Sequence, residues 1–134
     1  MKTSSLIFIG LLFIANACPD QDPLPDSEIR IINNSDITIL HLFNSDTLLP
    51  EIDHFSTSDQ IEYATINPNA SSVVPGFYKD HFSRGYDELI LFLFKRETVI
   101  SNDWETIRSQ HLVAKRYDLT LSILDSLDWT ITYP

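Results

Sequence analysis

Glu88-Leu89-Ile90-Leu91-Phe92-Leu93-Phe94-Lys95 is the stretch that decides the fold. Every position from Leu89 to Phe94 is apolar, and a charged residue bounds each side. A strand with one wet face would alternate, because successive side chains point to opposite faces of a sheet. An uninterrupted apolar run must be covered on both faces, and a segment this short, rich in aromatic residues, favours a strand over a helix. Glu88 to Lys95 therefore reads as a central strand.

Upstream of it, Glu28 to Ile32 and Ile37 to Phe43 are rich in β-branched and aromatic residues, with Asn33-Asn34-Ser35-Asp36 between them. That is a strand–turn–strand signature. Ile37, Ile39 and His41 share one face of the second strand, and Leu40 and Leu42 share the other. From Asn44 to Ser72 the punctuation Asn44-Ser45-Asp46, Pro50, Asp53-His54 and Asn67-Pro68-Asn69 predicts loops, with a short strand at Gln60 to Ile66. Ser72 to Pro75 adds another strand, broken by Pro75-Gly76.

Downstream, Asn102 is placed as an N-cap with Glu105 completing a capping box. Trp104, Ile107 and His111 then share a face of a short helix. Leu112 to Leu119 returns as a strand, and Thr120 caps a second short helix with an Ile123, Leu124, Leu127 stripe. Trp129, Ile131 and Tyr133 alternate with Thr130 and Thr132 in a half-buried closing strand. Roughly six to eight strands and two short helices near the C-terminus make a mainly β domain. The expected architecture is an antiparallel two-layer β-sandwich. The alternative is an α+β arrangement, a single antiparallel sheet with both helices on one face.

The N-terminus has a different character. Lys2 precedes an apolar run from Leu6 to Ile14, far short of the roughly 20 residues a transmembrane helix needs. Small residues follow at Ala15 and Ala17, and then Cys18, the one cysteine of the chain. This is the layout of a secretory signal over residues 1–17. Ala15-Asn16-Ala17 offers an ordinary peptidase a cut after Ala17. A single thiol forms no internal disulfide, so an exported Cys18 calls for another use. Residues 18–27, Cys-Pro-Asp-Gln-Asp-Pro-Leu-Pro-Asp-Ser, read as an extended solvated tether. Residues 28–134 read as one globular β-rich domain.

Charge narrows the partners. The chain has 9 basic and 19 acidic residues, a net charge of −10 with histidine neutral. Losing Lys2 with the signal leaves 8 against 19, or −11. Such a surface is unsuited to nucleic acid, whose binding depends on neutralising phosphates. It is equally unsuited to anionic headgroups, so any membrane attachment has to come from lipid on the chain. Hydrophobic residues make up 43% of the sequence, enough for a core and against wholesale disorder.

A resemblance rests on particular residues. Ile14-Ala15-Asn16-Ala17-Cys18 resembles a lipobox, with Ala15 standing where leucine is usual. Asn102-Asp103-Trp104-Glu105-Thr106-Ile107-Arg108, Lys115-Arg116-Tyr117-Asp118-Leu119-Thr120 and the closing Trp129-Thr130-Ile131-Thr132-Tyr133-Pro134 resemble small uncharacterised lipoproteins of gut-type Bacteroidota. The resemblance covers both ends of the chain and leaves the middle unplaced. It implies diacylglyceryl transfer to Cys18, cleavage before it, and an outer-membrane location. Asp20 and Asp22 are similar to the acidic signal that sends such lipoproteins to the cell surface, although Pro19 departs from it; surface exposure is favoured over a periplasm-facing position. The same bacteria glycosylate Asp-Ser/Thr followed by an apolar residue, which Asp46-Thr47-Leu48 and Asp125-Ser126-Leu127 match. Thr47 is the better candidate because it falls in an expected loop. No catalytic or ligand-binding residue comes with the resemblance.

Site chemistry is sparse. No Gly-x-Ser-x-Gly elbow and no His-Glu-x-x-His spacing occur, and Gly10, Gly76 and Gly85 form no phosphate loop. The expected role is therefore non-enzymatic and cofactor-free: an interaction module for an envelope protein or glycan. Phe77, Tyr78 and Tyr86 are the candidate contact rings, since they flank Pro75-Gly76 and Gly85, while Trp104 is expected in the core. The alternative is a metal-dependent accessory or enzyme with a site in the 44–87 region. Its ligands would be His54 and His81 beside Asp53 and Asp80, a set suited to zinc only if folding unites the two pairs. Adjacent residues on an extended segment point apart, so neither pair chelates alone. His41 and His111 are expected to be packed, with their ring nitrogens satisfied.

Overall fold

The computed structural model describes residues 26–134. The stretch 1–17 expected to be a signal, Cys18 and the expected tether up to residue 25 lie outside the described residues. β5 (Leu89–Lys95) is central, as its pattern requires. It lies between β2 (Ile39–Asn44) and β6 (Lys115–Leu119) and runs antiparallel to both. The short β3 (Thr65–Ile66) pairs with β2 and completes a sheet in the order β3-β2-β5-β6. A second sheet has β1 (Ser27–Asn33) between β4 (Ala70–Gly76) and β7 (Thr130–Tyr133).

Leu89 to Phe94 are all at most 6% exposed, and the two faces of β5 serve two separate clusters. Leu89, Leu91 and Leu93 join Ile29, Ile31, Val74 and Ile131 from the other sheet. Ile90, Phe92 and Phe94 pack instead with Leu49, Phe55, Val99, Trp104 and Ile107, which come from a loop and two helices. Burying each such side chain contributes roughly 1.5–3 kcal/mol, so the doubly covered strand is the main source of cohesion. The described residues thus form a mainly β fold of two largely antiparallel sheets with five helices.

Several expectations are corrected. The single-sheet alternative does not hold, because there are two sheets. Pairing is not wholly antiparallel: β1 and β7 are parallel, with Arg30 opposite Thr130. Nor are the helices confined to two near the C-terminus. α1 (Ser58–Ala64) occupies most of the segment expected as a strand at Gln60 to Ile66. Thr57 accepts from the Gln60 amide while the Gln60 side chain accepts from Thr57, a reciprocal cap that starts a helix. α2 (Tyr78–Ser83) and α3 (Arg96–Ser101) were not expected at all.

The cap of α4 (Trp104–Ser109) is Asp103, which accepts from Thr106 at 2.8 Å. Asn102 instead closes α3 by donating to the Thr98 carbonyl, and Glu105 pairs with Arg108 at 3.1 Å. Thr120 caps α5 (Leu121–Ser126) as expected, but only Leu124 of the stripe is buried, while Ile123 and Leu127 face solvent. So short a helix turns one residue inward before Asp128 and Trp129, both at positive φ, end it. His111, expected to be packed, is exposed at φ 51° in the turn after α4, and β6 begins only at Lys115.

Asn33, read as part of a polar turn, is wholly buried at the end of β1. Its Nδ2 donates to the carbonyls of Ile37, Ile66 and Asn67, and its Oδ1 accepts from the Ser35 amide and hydroxyl. One amide thereby links the strand ends of both sheets.

Candidate functional site

β2 and α1 build the most ring-rich concavity. His41 and Phe43 project from one face of β2, and Tyr63 and Gln60 stand on α1. With His54 and Tyr78 they line a cavity of about 330 Å³. His41 lies 5.9 Å from the Tyr63 ring and 6.1 Å from Phe43, which in turn lies 5.3 Å from Tyr78. Tyr63 is 65% exposed and presents its ring to solvent. Tyr78 is seated by Gly76, where a Cβ would come within 2.6 Å of the phenol ring.

Polar groups in the cavity are few and defined. His41 Nδ1 lies 2.9 Å from the Ala64 carbonyl oxygen, which can only accept. The proton therefore sits on Nδ1, and Nε2 is left as a lone-pair acceptor. Burial pulls the His41 pKa below its ordinary 6.5, partly opposed by that hydrogen bond. Burial pushes the Tyr78 phenol far above its ordinary range, with Tyr63 adding to the effect. Both groups are thus neutral at physiological pH, and the cavity offers uncharged donors, acceptors and flat rings. Pockets of this kind hold small neutral groups by stacking and a few directed hydrogen bonds.

A pH prediction follows from His41. Because its folded pKa is lowered, the unfolded chain takes up a proton first as acid is added. The His41 contribution is complete above about pH 6.5 and lost as pH falls through the lowered folded value. Thermal melts between pH 7.5 and pH 5 should show a falling midpoint, less steep in His41→Gln. An equal slope in both proteins would refute the assignment.

The residues singled out from sequence are dispersed. Phe77 and Tyr86 are exposed, at 45% and 53%, but Tyr78 is buried and turned into the cavity, so the three rings form no common platform. Tyr86 stacks on His81 at 4.6 Å with a 10° interplanar angle. His81 Nε2–H donates to the Glu88 carbonyl, whereas His54 lines the cavity. Asp53 accepts from the Phe55 amide and Asp80 pairs with Arg84 at 2.7 Å, so each carboxylate is engaged locally. Among the described residues no group of three or more His, Cys, Asp or Glu is placed to hold a metal ion. Thr47 lies exposed in the loop after β2; Ser126, within α5, donates to the Ile123 carbonyl. Trp104 is in the core, as expected, its indole N–H donating to the Pro50 carbonyl. Tyr63 and Gln60 were missed, although Thr57-Ser58-Asp59-Gln60 carries the capping signal that places them.

A larger cleft of about 500 Å³ is lined by Arg108, His111, Arg116 and Glu105. Glu105 and Asp118 already match the two guanidinium groups, at 3.1 and 2.6 Å, so the cleft presents little uncompensated charge. The ring-lined cavity is the better candidate.

No family model matches the chain, and neither does any curated protein or solved structure.

Proposed function

We propose that the chain is an outer-membrane lipoprotein, anchored through a lipid on Cys18, whose two-layer β-sandwich domain is a non-enzymatic binding module for an envelope glycan or protein. The observation that carries the binding role is the exposed Tyr63 ring beside a neutral, aromatic cavity of about 330 Å³. Exposed rigid rings give contact area at low conformational cost, and neutral cavity walls suit an uncharged sugar or an apolar side chain. The signal layout and the lone Cys18 support the anchor. The acidic tether residues Asp20 and Asp22 favour the outer face.

The binding test is a titration of the intact lipoprotein in detergent with neutral oligosaccharides, followed by chemical shifts. Tyr63→Ala should weaken binding at least tenfold, about 1.4 kcal/mol, while Phe77→Ala should not. If no saccharide binds but a photo-crosslinker at position 63 captures one envelope protein, the partner is that protein. If neither occurs, the binding role fails. Stoichiometric zinc in the purified protein would favour the metal-dependent alternative instead.

A further inference from the structure

The cavity between β2 and α1 holds two polar atoms that the protein leaves unused. His41 and Tyr78 are only 5% and 8% exposed, and both side chains line it. His41 gives its Nδ1–H to the Ala64 carbonyl, and among the described residues its Nε2 has no partner. The Tyr78 hydroxyl has no partner among them either. Among the described residues no side-chain nitrogen or oxygen is both buried and unpaired, so these two atoms reach open space. For side chains covered to this degree, that space is the cavity. Tyr63 adds to the upward shift of the Tyr78 phenol, which sets the two hydroxyls near each other. Asn33 and Trp104, also buried, spend their polar groups on backbone carbonyls instead.

We propose that the cavity binds one neutral sugar ring, with one ring hydroxyl donating to His41 Nε2 and another pairing with the Tyr78 hydroxyl. The inference rests on the binding-module reading and narrows its ligand to an uncharged sugar. Nε2 can only accept, so the ligand has to bring a hydrogen-bond donor. A leucine or phenylalanine of a protein partner would bury both atoms unpaired and lose affinity for it. His41 and Tyr78 are neutral at physiological pH, so they offer a charged group no counter-charge. A sugar ring carries hydroxyls along its edge and C–H groups on its faces. Tyr63, 65% exposed at the opening, presents a flat apolar face to match. Ligand pockets run from about 300 to 1,000 Å³, so a cavity of about 330 Å³ suits one ring rather than a chain. A site built to hydrogen-bond a hydroxyl rejects the analogue that lacks it. His41 and Tyr78 thus determine specificity, and Tyr63 is the platform.

The test titrates the intact lipoprotein, in a detergent without sugar headgroups, with methyl glycosides of glucose, galactose, mannose and fucose. One of them should saturate the protein and move the NMR resonance of His41 Nε2, while Nδ1 stays bonded to Ala64. Among the monodeoxy analogues of that glycoside, at least one should bind about tenfold more weakly. Tyr78→Phe removes a hydroxyl that has no partner in the protein, so the melting midpoint should shift little. Binding of the glycoside should nevertheless fall about fivefold or more. Should Tyr78→Phe fold poorly, the deoxy series decides alone. If every deoxy analogue binds like its parent and only Tyr63→Ala weakens binding, the sugar merely rests on the rim. The inference then falls and the binding role stands. Capture of a protein at position 63 with no glycoside bound likewise overturns the sugar and keeps the module. If neither binds, both readings fail.

Discussion

Phe94→Ala is expected to remove a large part of the domain's stability. Phe94 is completely buried on the outward face of β5, with ring centroids of Phe55 at 5.5 Å and Trp104 at 6.0 Å. Those two rings come from a loop and from α4, and they also touch each other at 5.8 Å. Truncation deletes the member that holds both against the sheet. Phenylalanine-to-alanine changes in a core cost about 3–5 kcal/mol, against a total of about 5–15 kcal/mol for a domain. The melting midpoint should fall by roughly 15 °C or more. Ile100→Ala, at a position 53% exposed, should shift it little. A loss below about 1 kcal/mol for Phe94→Ala would mean that the outer face of β5 is not covered as described.

Asn33→Asp should be comparably severe for a different reason. The Asn33 amide group donates to three carbonyls and its oxygen accepts twice from Ser35. Aspartate keeps the shape and the acceptor but brings a charge against three carbonyl oxygens with nothing to donate. Leaving buried acceptors unpaired costs about 1–3 kcal/mol each, and an unpaired buried charge costs more. A loss of at least about 3 kcal/mol in denaturant titrations is expected, exceeding that of Asn33→Ala. A near-neutral Asn33→Asp would show that water or a rearranged loop takes over these bonds.

These two residues mark what was legible in the sequence and what was not. Phe94 was readable because an uninterrupted apolar run has few solutions, and the central position of β5 follows from it. The closing strand was readable from its period of two, with Ile131 and Tyr133 buried between Thr130 and Thr132, but Trp129, expected to begin it, sits at positive φ in the turn before it. Asn33 was not, because an asparagine beside Asn34, Ser35 and Asp36 looks like any solvated turn. Its burial depends on Ile66 and Asn67, more than thirty residues away. The start of α2 was hidden likewise: Phe77 offers no side-chain cap, and Asp26 supplies one from across the chain. α1 was different, since Thr57 and Gln60 carry a local signal that the β-branched residues after them outweighed. As for the site, His54 and Tyr78 were singled out, but their meeting with Tyr63 depends on β2 and α1 coming together. No spacing in the sequence encodes that meeting.

The placing of β1 has a mechanical consequence. Whatever pulls on the residues before Asp26 pulls along β1, which has β4 hydrogen-bonded on one side and β7 on the other. A load applied along a strand held on both flanks must shear two ladders at once, whereas a strand at a sheet edge would peel away bond by bond. The chain thus meets external force at the strand of its sheet best placed to resist being drawn out.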